Sequence, residues 1–550
     1  MSRKRRLSSK CSAHIRKLPD GRISPMPMQQ KIKGLIKSVI PTDLPVEVET
    51  PKNEQYGDYS TNIAMLVARA NRSSPPDAAN MIVSGLKKID NGKMFSKIDP
   101  TPQGFINFKL KDLVLVMNIA DILEQNEKYG RSDAGKRKKV LLEYVSANPT
   151  GPLHIGHGRW AVIGDCLANI MKAVGFKVDR EYYVNDVGEQ INNLVSSVNA
   201  KMEGRPVPEN GYAGKYIEDV AAHIKNKNRV REEALKMLLE DQKETLKELG
   251  VNYDKWLNES ELHTKGLVKK CIKRLEDKGL TYREGSALWF KSAQFGDDKD
   301  RVLVKDDGQT TYFAADIAYH AAKFDRGYDR IINVWGTDHH GYVARLKAAM
   351  TALGYPDEKL EIIIGQLVAL YRGKELVKMS KRTGEMITLK EVIDEIGASA
   401  ARYFLVKNSP STHLDFDLEL AKSKSLENPV YYVSYAHARI KSILKEAKKA
   451  GLSPSTSHMD MLKAEPERKL MLKLLRFEDE IISAALSMQP HRLTGYGESL
   501  AQIFHNYYHQ QRVITDDREL SKARLALVKS TSIVLRNVLK LLGITAPESM

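Results

Sequence analysis

At 550 residues with 42% apolar side chains, the chain is longer than one hydrophobic core supports, so roughly three or four domains are expected. No stretch approaches the roughly 18 to 20 uninterrupted apolar residues of a membrane helix, which argues against a membrane-spanning protein. Lys and Arg outnumber Asp and Glu by 86 to 69, and the resulting charge of +17 points to a polyanionic partner such as nucleic acid.

The opening "MSRKRRLSSKCSAHIRKLPDGRISP" has no acid before Asp20 and little apolar periodicity, so residues 1–27 read as a basic, disordered tail. A nucleic-acid arm, an organellar presequence, or residues upstream of a start at Met26 or Met28 are the readings such a tail allows. Residues 28–114 read as a small α+β module. In it "QQKIKGLIKSVI" and "GDYSTNIAMLVARA" are helices, and "GFINFKL" alternates as a strand does.

The run "KVLLEYV" has the character of a parallel strand buried on both faces. Directly behind it stands "SANPTGPLHIGHGRW", then a helix in which Ala161, Val162, Cys166, Leu167, Ile170, Met171 and Val174 recur at three and four, with Gly175 as the stop. "KVDREYYV" is the next strand. Strand, glycine-bearing loop, helix, strand is the start of a nucleotide-binding βαβ unit, and it puts Gly156 and Gly158 where backbone amides and a helix N-terminus receive phosphate or a flat base.

The sheet domain is expected over 138–389, with a polar helical insertion at about 186–285. Its sheet signals resume with "RVLV", "RIINVWG" and "KLEIIIGQLVAL", around a helix at "GYVARLKAAMTALG". No long strand pattern follows Leu389. Residues 390–425 read as a connecting segment and 426–550 as a helical bundle. Cys11, Cys166 and Cys271 are far apart and form no CxxC pair, which argues against a disulfide framework or thiolate zinc site and fits a reducing cytoplasm.

Chemistry is concentrated in a few motifs. "ELVKMSKRTG" sets Lys378, Lys381 and Arg382 on a glycine-flanked loop after a strand. A triphosphate needs flexible cations on its outer phosphates, and transfer at the α-phosphorus needs donors where charge develops. Two histidines and a lysine loop supply both. In "TYFAADIAYH", Tyr312 and Asp316 lie four apart on one helical face, suited to a guanidinium, which has five donors and no acceptor. Core packing for Tyr312 and a surface helix charge for Asp316 are the plainer alternatives. "GTDHHGY" offers Asp338, His339 and His340 to a metal, yet the preceding strand aims them at the nucleotide edge of the sheet. "VYYVSYAHAR" brings Tyr432, Tyr435 and Arg439 to helical spacing, either as a platform for unstacked bases or as core.

"HIGH" followed by "KMSK" is the signature pair of class I aminoacyl-tRNA synthetases. With "EYVSANPTGPLHIGHGR", "YYVNDVGEQ", "NVWGTDHHGYVARLKAA", "MSKRTGEMITL", "NPVYYVSYAHARI" and "LLGITAPESM", the chain resembles arginyl-tRNA synthetases from about residue 28 to its end. The resemblance implies a multidomain α/β plus all-α protein. Its parts are a Rossmann-like catalytic core, an N-terminal α+β domain and a C-terminal helical-bundle anticodon-binding domain. It further implies that ATP and arginine form arginyl-adenylate, and that the terminal ribose of the tRNA for arginine takes the aminoacyl group.

Carried over by position, His154 and His157 contact the α-phosphate, Gly156 lets adenine lie on the backbone, and Lys378, Met379, Ser380 and Lys381 form the loop on the β- and γ-phosphates. Tyr312 and Asp316 hold the guanidinium, and Asn148 and Glu143 the α-amino end. Tyr432, Tyr435, Arg439, Tyr508 and Met550 meet the anticodon loop, and Phe105 and Asn107 the D-loop. Magnesium comes with ATP, no zinc is bound by the protein, and a cytoplasmic monomer is expected. Two other functions remain at this point. A small HIGH-type nucleotidyltransferase leaves the helical C-terminal domain without a purpose, and a non-catalytic RNA-binding paralogue has no need of the intact His154, His157, Lys378 and Lys381.

Overall fold

The computed structural model describes residues 26–40, 43–377 and 387–550; the basic tail to residue 25 and the lysine segment 378–386 lie outside the described residues. The amino-terminal module holds a three-stranded antiparallel sheet of β1 (Tyr59–Thr61), β2 (Phe95–Pro100) and β3 (Ile106–Leu110), in the order β1-β3-β2. Ile106, Phe108 and Leu110 alternate into the core, as the sequence pattern requires. "GDYSTNIAMLVARA" departs from its reading as one helix. Tyr59–Thr61 pair with β3 and are buried, so the helix begins only at Ile63.

The central domain contains β4 (Lys139–Tyr144), β5 (Lys177–Val184), β6 (Lys255–Asn258), a meander of β7 (Thr281–Glu284), β8 (Ala287–Phe290) and β9 (Arg301–Val304), then β10 (Arg330–Gly336) and β11 (Leu360–Gly365). The main sheet runs β11-β10-β4-β5-β6, with every neighbouring pair parallel. Connections leave β4 toward β5 on one side while β10 flanks it on the other. The crevice beyond the carboxyl ends of β4 and β10 is therefore the switch point at which such sheets bind ligands. Two strands differ from their reading. β6 lies inside the stretch read as an insertion yet forms the sheet edge, where four residues with one buried side chain give little apolar signal. "RVLV" is β9 of the separate antiparallel meander and not part of the main sheet.

A fourth sheet, β12 (Val368–Arg372), β13 (Glu375–Leu376) and β14 (Leu414–Asp417), follows in the order β13-β12-β14, so a short strand does return after Leu389. Helices Pro429–Lys449, Glu465–Leu475, Phe477–Leu486, Arg492–Gln510 and Arg518–Leu541 build the carboxy-terminal bundle. The amino-terminal module docks on it through "GDYS". Arg468 donates to both carboxylate oxygens of Asp58 at 3.1 and 2.8 Å, and the Tyr59 hydroxyl donates to Asp479 at 3.0 Å. Burial raises the Asp479 carboxyl to about 6. Fully buried Arg402 ties the bundle to the catalytic domain, donating to Asp165 at 2.6 Å, the Leu249 carbonyl at 3.0 Å and the Leu542 carbonyl at 2.8 Å. Cys166 and Cys271 are buried thiols, pushed up to about 12 and about 11 by desolvation. Among the described residues no helix is long and apolar enough to cross a membrane.

Candidate active site

β4 ends in a turn no strand would adopt unaided. Val145 and Ser146 have φ of +70° and +43°, and a left-handed β-branched residue costs about 1–3 kcal/mol. The surroundings hold it there. Ser146 Oγ donates to Glu143 Oε1 at 2.8 Å and accepts from the Tyr183 amide at 3.1 Å, while the Gln242 side-chain amide donates to the Asn148 and Gly151 carbonyls at 3.1 and 2.9 Å. The chain then enters the helix Ile155–Ala173, whose N-cap is His154.

The two histidines cap this helix reciprocally. His154 Nδ1 accepts from the Gly156 and His157 amides at 3.1 and 3.4 Å, and His157 Nδ1 accepts from the His154 amide at 3.3 Å. Their rings stack at 3.6 Å. Because each Nδ1 is an acceptor, the proton of each neutral ring belongs on Nε2, so both imidazoles present donors at the positive end of a helix dipole. Helix capping and anion binding are here the same arrangement. A Cβ on Gly156 would stand 3.0 Å from the His154 ring, so this glycine keeps the approach open. Gly158 departs from its expected role: its amide serves the helix and a Cβ there would meet Leu389 at 2.6 Å, so its smallness serves packing and not phosphate.

Glu143, Asn148, His154, His157, Tyr312 and Asp316 all border one cleft of about 660 Å³ at the switch point. Asp316 is half-buried in the cleft wall, not a surface charge, and accepts from the Tyr342 hydroxyl at 2.6 Å. Burial, with help from the Glu259 and Glu143 charges, raises it to about 7. Tyr312 is not core either: half exposed at the mouth, its hydroxyl accepts from the Glu189 amide at 3.2 Å.

A residue that sequence reasoning missed stands with them. Glu259, just after β6, is buried in the cleft wall, and desolvation raises it to about 7 as well. No Lys or Arg among the described residues pairs with Asp316 or Glu259, although His263 lies 3.7 Å from Glu259. Glu143 differs. It pairs with fully buried Lys323, which also donates to Asn333 Oδ1 at 3.0 Å, so its charge is balanced inside the fold. The cleft thus carries one buried and one half-buried carboxylate that lack a strong cation among the described residues. Asn148 Nδ2 donates to Gln190 at 2.6 Å near its rim. Asp338 and His339 border the cleft 3.5 Å apart and His340 does not.

A second cavity, of about 590 Å³, lies in the helical bundle and brings together Tyr435, Arg439, Tyr508 and Met550. Arg439 lies over the Tyr508 ring at 4.7 Å and donates to the Tyr435 hydroxyl, while Tyr435 stacks on Tyr431 at 6.1 Å. Tyr432 is set apart: its ring faces His505 at 5.1 Å and borders a neighbouring open groove. In the amino-terminal module Phe105 is 37% exposed beside β3, and Asn107 accepts from Ser60 Oγ at 2.8 Å.

Comparison with known proteins shows the family. The family model "tRNA synthetases class I (R), catalytic domain" matches residues 118–210 and 210–418, and "Arginyl tRNA synthetase N terminal domain" matches 27–110. The chain belongs to the arginyl-tRNA synthetase family. "DALR anticodon binding domain" matches 433–550, the span that holds the second cavity. Arginine–tRNA ligase of Moorella thermoacetica is 45% identical over 528 residues, covering 92% of this chain and 93% of that protein. The Listeria monocytogenes serovar 1/2a enzyme is 46% identical over 539 residues, covering 94% and 96%. The Thermus thermophilus arginyl-tRNA synthetase structure superposes with a TM-score of 0.77 at 24% identity, over 95% of this chain and all of that one, which shows the shared fold.

Proposed function

We propose that this member of the family attaches L-arginine to its tRNA through an arginyl-adenylate. The observation that carries the reading is the pair of desolvated carboxylates, half-buried Asp316 and buried Glu259, in the same cleft as the two capping histidines. A guanidinium neutralises both carboxylates and meets the Tyr312 hydroxyl at the mouth. Asn148 and Glu143 then face the ammonium end. The arginine carboxylate attacks the α-phosphorus of ATP, a carboxyl–phosphate bond forms, and the bond to pyrophosphate breaks. The Nε2–H groups of His154 and His157 stabilise the charge on the phosphorus oxygens, and Gly156 admits the adenine. Lys378, Met379, Ser380 and Lys381 serve the outer phosphates, which bring magnesium. The terminal ribose hydroxyl of the tRNA next attacks the arginyl carbonyl and AMP leaves. Phe105 and Asn107 serve the tRNA's D-loop, and Tyr435, Arg439, Tyr508 and Met550, with Tyr432 on the adjoining groove, serve its anticodon loop. On this reading the protein acts as a monomer in the cytoplasm, an assignment that gel filtration of the native protein tests.

ATP–pyrophosphate exchange tests the reading, run with arginine in the presence and absence of tRNA. Silence with both arginine and tRNA present would overturn it.

The cleft also predicts a pH dependence. Guanidinium binding needs Asp316 and Glu259 ionised, and both titrate at about 7 in the free protein. The arginine KM should therefore fall as pH rises from about 6 to 8, by up to tenfold per unit for each carboxyl below 7. Stability runs the opposite way. Carboxyls raised in the folded state favour folding while protonated, and that contribution is lost as pH climbs from the unfolded values through about 7. Arginine should accordingly raise the melting temperature more at pH 8 than at pH 6, and an equal rise would remove these two groups from the pocket.

For the second cavity, Tyr435→Ala should weaken tRNA binding by about 1–3 kcal/mol, the worth of one base–aromatic stack. Arginine and ATP constants should hold, as should the salt dependence, because no phosphate contact is lost. Unchanged tRNA affinity in a variant with a lowered melting temperature would make Tyr435 a core residue.

A further inference from the structure

Tyr342, the first residue of the helix Tyr342–Leu353, borders the cleft with a ring whose place is fixed by its neighbours. It stands edge-on to Phe313 at 5.9 Å, to Trp335 at 6.1 Å and to His339 at 6.3 Å. A phenylalanine would fill this place as well, so packing does not account for the hydroxyl. That hydroxyl donates to Asp316 Oδ2 at 2.6 Å, and the helix that carries Asp316 also supplies Phe313. Burial and the Asp316 charge raise the phenol well above its ordinary range, so it keeps its proton and remains a donor.

A cation supports the ring. The Arg345 guanidinium lies over Tyr342 at 5.0 Å and over Phe313 at 5.8 Å, and its Nε stands 3.9 Å from Asp297 Oδ2. This Nε is buried with no hydrogen-bond partner among the described residues. Asp297 is taken by Arg301, which donates to both of its oxygens at 2.9 and 3.0 Å, so Arg345 is left to the rings. A positive charge over a phenol opposes the rise in its proton affinity and makes the hydroxyl a stronger donor. The other groups that face Asp316 act differently. Glu259 beyond β6 and Glu143 on β4 oppose its charge, His339 favours it through charge alone, and Tyr183 on β5 faces it without a hydrogen bond. On its own helix Tyr312 turns to the Glu189 amide, and His320 reaches the Asp316 carbonyl at 2.9 Å and not the carboxylate. Among the described residues Tyr342 is thus the side chain that holds this carboxylate by a hydrogen bond.

On the assignment of Asp316 to the arginine pocket, we infer that Tyr342 is a positioning residue for arginine recognition: its hydroxyl fixes the Asp316 carboxylate in the orientation that receives the guanidinium, and Arg345, over the ring, strengthens that donor. A carboxylate has about four lone-pair directions. The hydroxyl takes one of them at Oδ2 and leaves Oδ1 and the rest of Oδ2 to the N–H fork of a guanidinium. It also favours the ionised form that a cation needs, against the desolvation that disfavours it. Without the hydroxyl the carboxylate is free to turn and harder to ionise, so the arginine KM responds and the ATP KM does not.

The test is the exchange assay on full-length protein with tRNA for arginine, with the arginine KM followed from about pH 6 to 8 for wild type, Tyr342→Phe and Arg345→Met. Tyr342→Phe keeps the ring and loses the donor. Its arginine KM at neutral pH should rise about tenfold and the midpoint of its pH profile should move up by about one unit, the effect of one lost hydrogen bond to a charged group, with the ATP KM within about twofold of wild type. Arg345→Met should raise the arginine KM about threefold and shift the profile the same way by less. Because Tyr342 acts through Asp316, adding Tyr342→Phe to Asp316→Asn should change the arginine KM of that background by less than about twofold. Additive effects of the two substitutions, or a Tyr342→Phe profile that overlies that of wild type, would overturn the inference. A merely structural role gives the second result, since it lowers the melting temperature and the amount of active protein and leaves the midpoint in place. An Arg345→Met KM equal to that of wild type would overturn the part given to Arg345; if that variant does not fold, Arg345→Gln, which keeps a polar end near Asp297, takes its place. Asp316→Asn alone reports on the pocket assignment, so its failure and that of the part given to Tyr342 are told apart.

Discussion

His157→Ala should lower the rate of adenylate formation by about 10²–10³, the loss associated with one preorganised donor to a developing oxyanion, while changing ATP affinity little. The expectation comes from the tautomer that the cap imposes. With His157 Nδ1 accepting from the His154 amide at 3.3 Å, the proton sits on Nε2, where the ring can donate to charge that grows only in the transition state. The same substitution removes half of a reciprocal cap, at a cost of about 0.5–2 kcal/mol in stability. His154 still caps the Gly156 amide, so the helix start persists. Melting temperature and rate therefore separate: a small drop in the first, a large one in the second. His157→Gln, whose side-chain amide restores a donor, should recover part of the rate. A loss confined to the ATP KM would reduce His157 to a nucleotide-positioning group.

What the sequence made legible was whatever is local or periodic. The helix behind "HIGH" shows its apolar positions at three and four, and all seven named side chains are buried. β4, β10 and β11 read as apolar runs because both faces of a parallel sheet are covered. β6 escaped because an edge strand of four residues carries little such signal, and Glu259 escaped with it, since nothing in "LNES" marks a carboxylate that β6 turns into the cleft. Tyr312 and Asp316 were found from spacing and resemblance, but spacing could not say that one is half exposed at the mouth and the other half-buried in the cleft wall. That depends on contacts with Glu189 and Tyr342, which are distant in sequence. Lys323 was invisible for the same reason: its partner Glu143 lies on another element.

Asp316→Asn should weaken arginine binding by about 2–5 kcal/mol, roughly 30- to 5,000-fold in KM, because it leaves a desolvated guanidinium facing an amide. The ATP KM should hold. The substitution keeps the size and an oxygen to accept from the Tyr342 hydroxyl, so the wall of the cleft need not move. In the empty protein the sign reverses. A carboxyl raised to about 7 by burial is strained when ionised, so the Asn variant should melt no lower than wild type at pH 8. Discrimination should collapse with affinity: citrulline, which replaces the guanidinium by a neutral urea, should compete poorly against arginine in wild type and much better in the variant. Glu259→Gln should act in the same direction. The double variant should lose less than the sum of the two, because the carboxylates face one cation and already repel each other when it is absent. An arginine KM equal to that of wild type would remove Asp316 from the pocket, and a parallel rise in the ATP KM would show that the substitution had disturbed the whole cleft and not the recognition of the guanidinium.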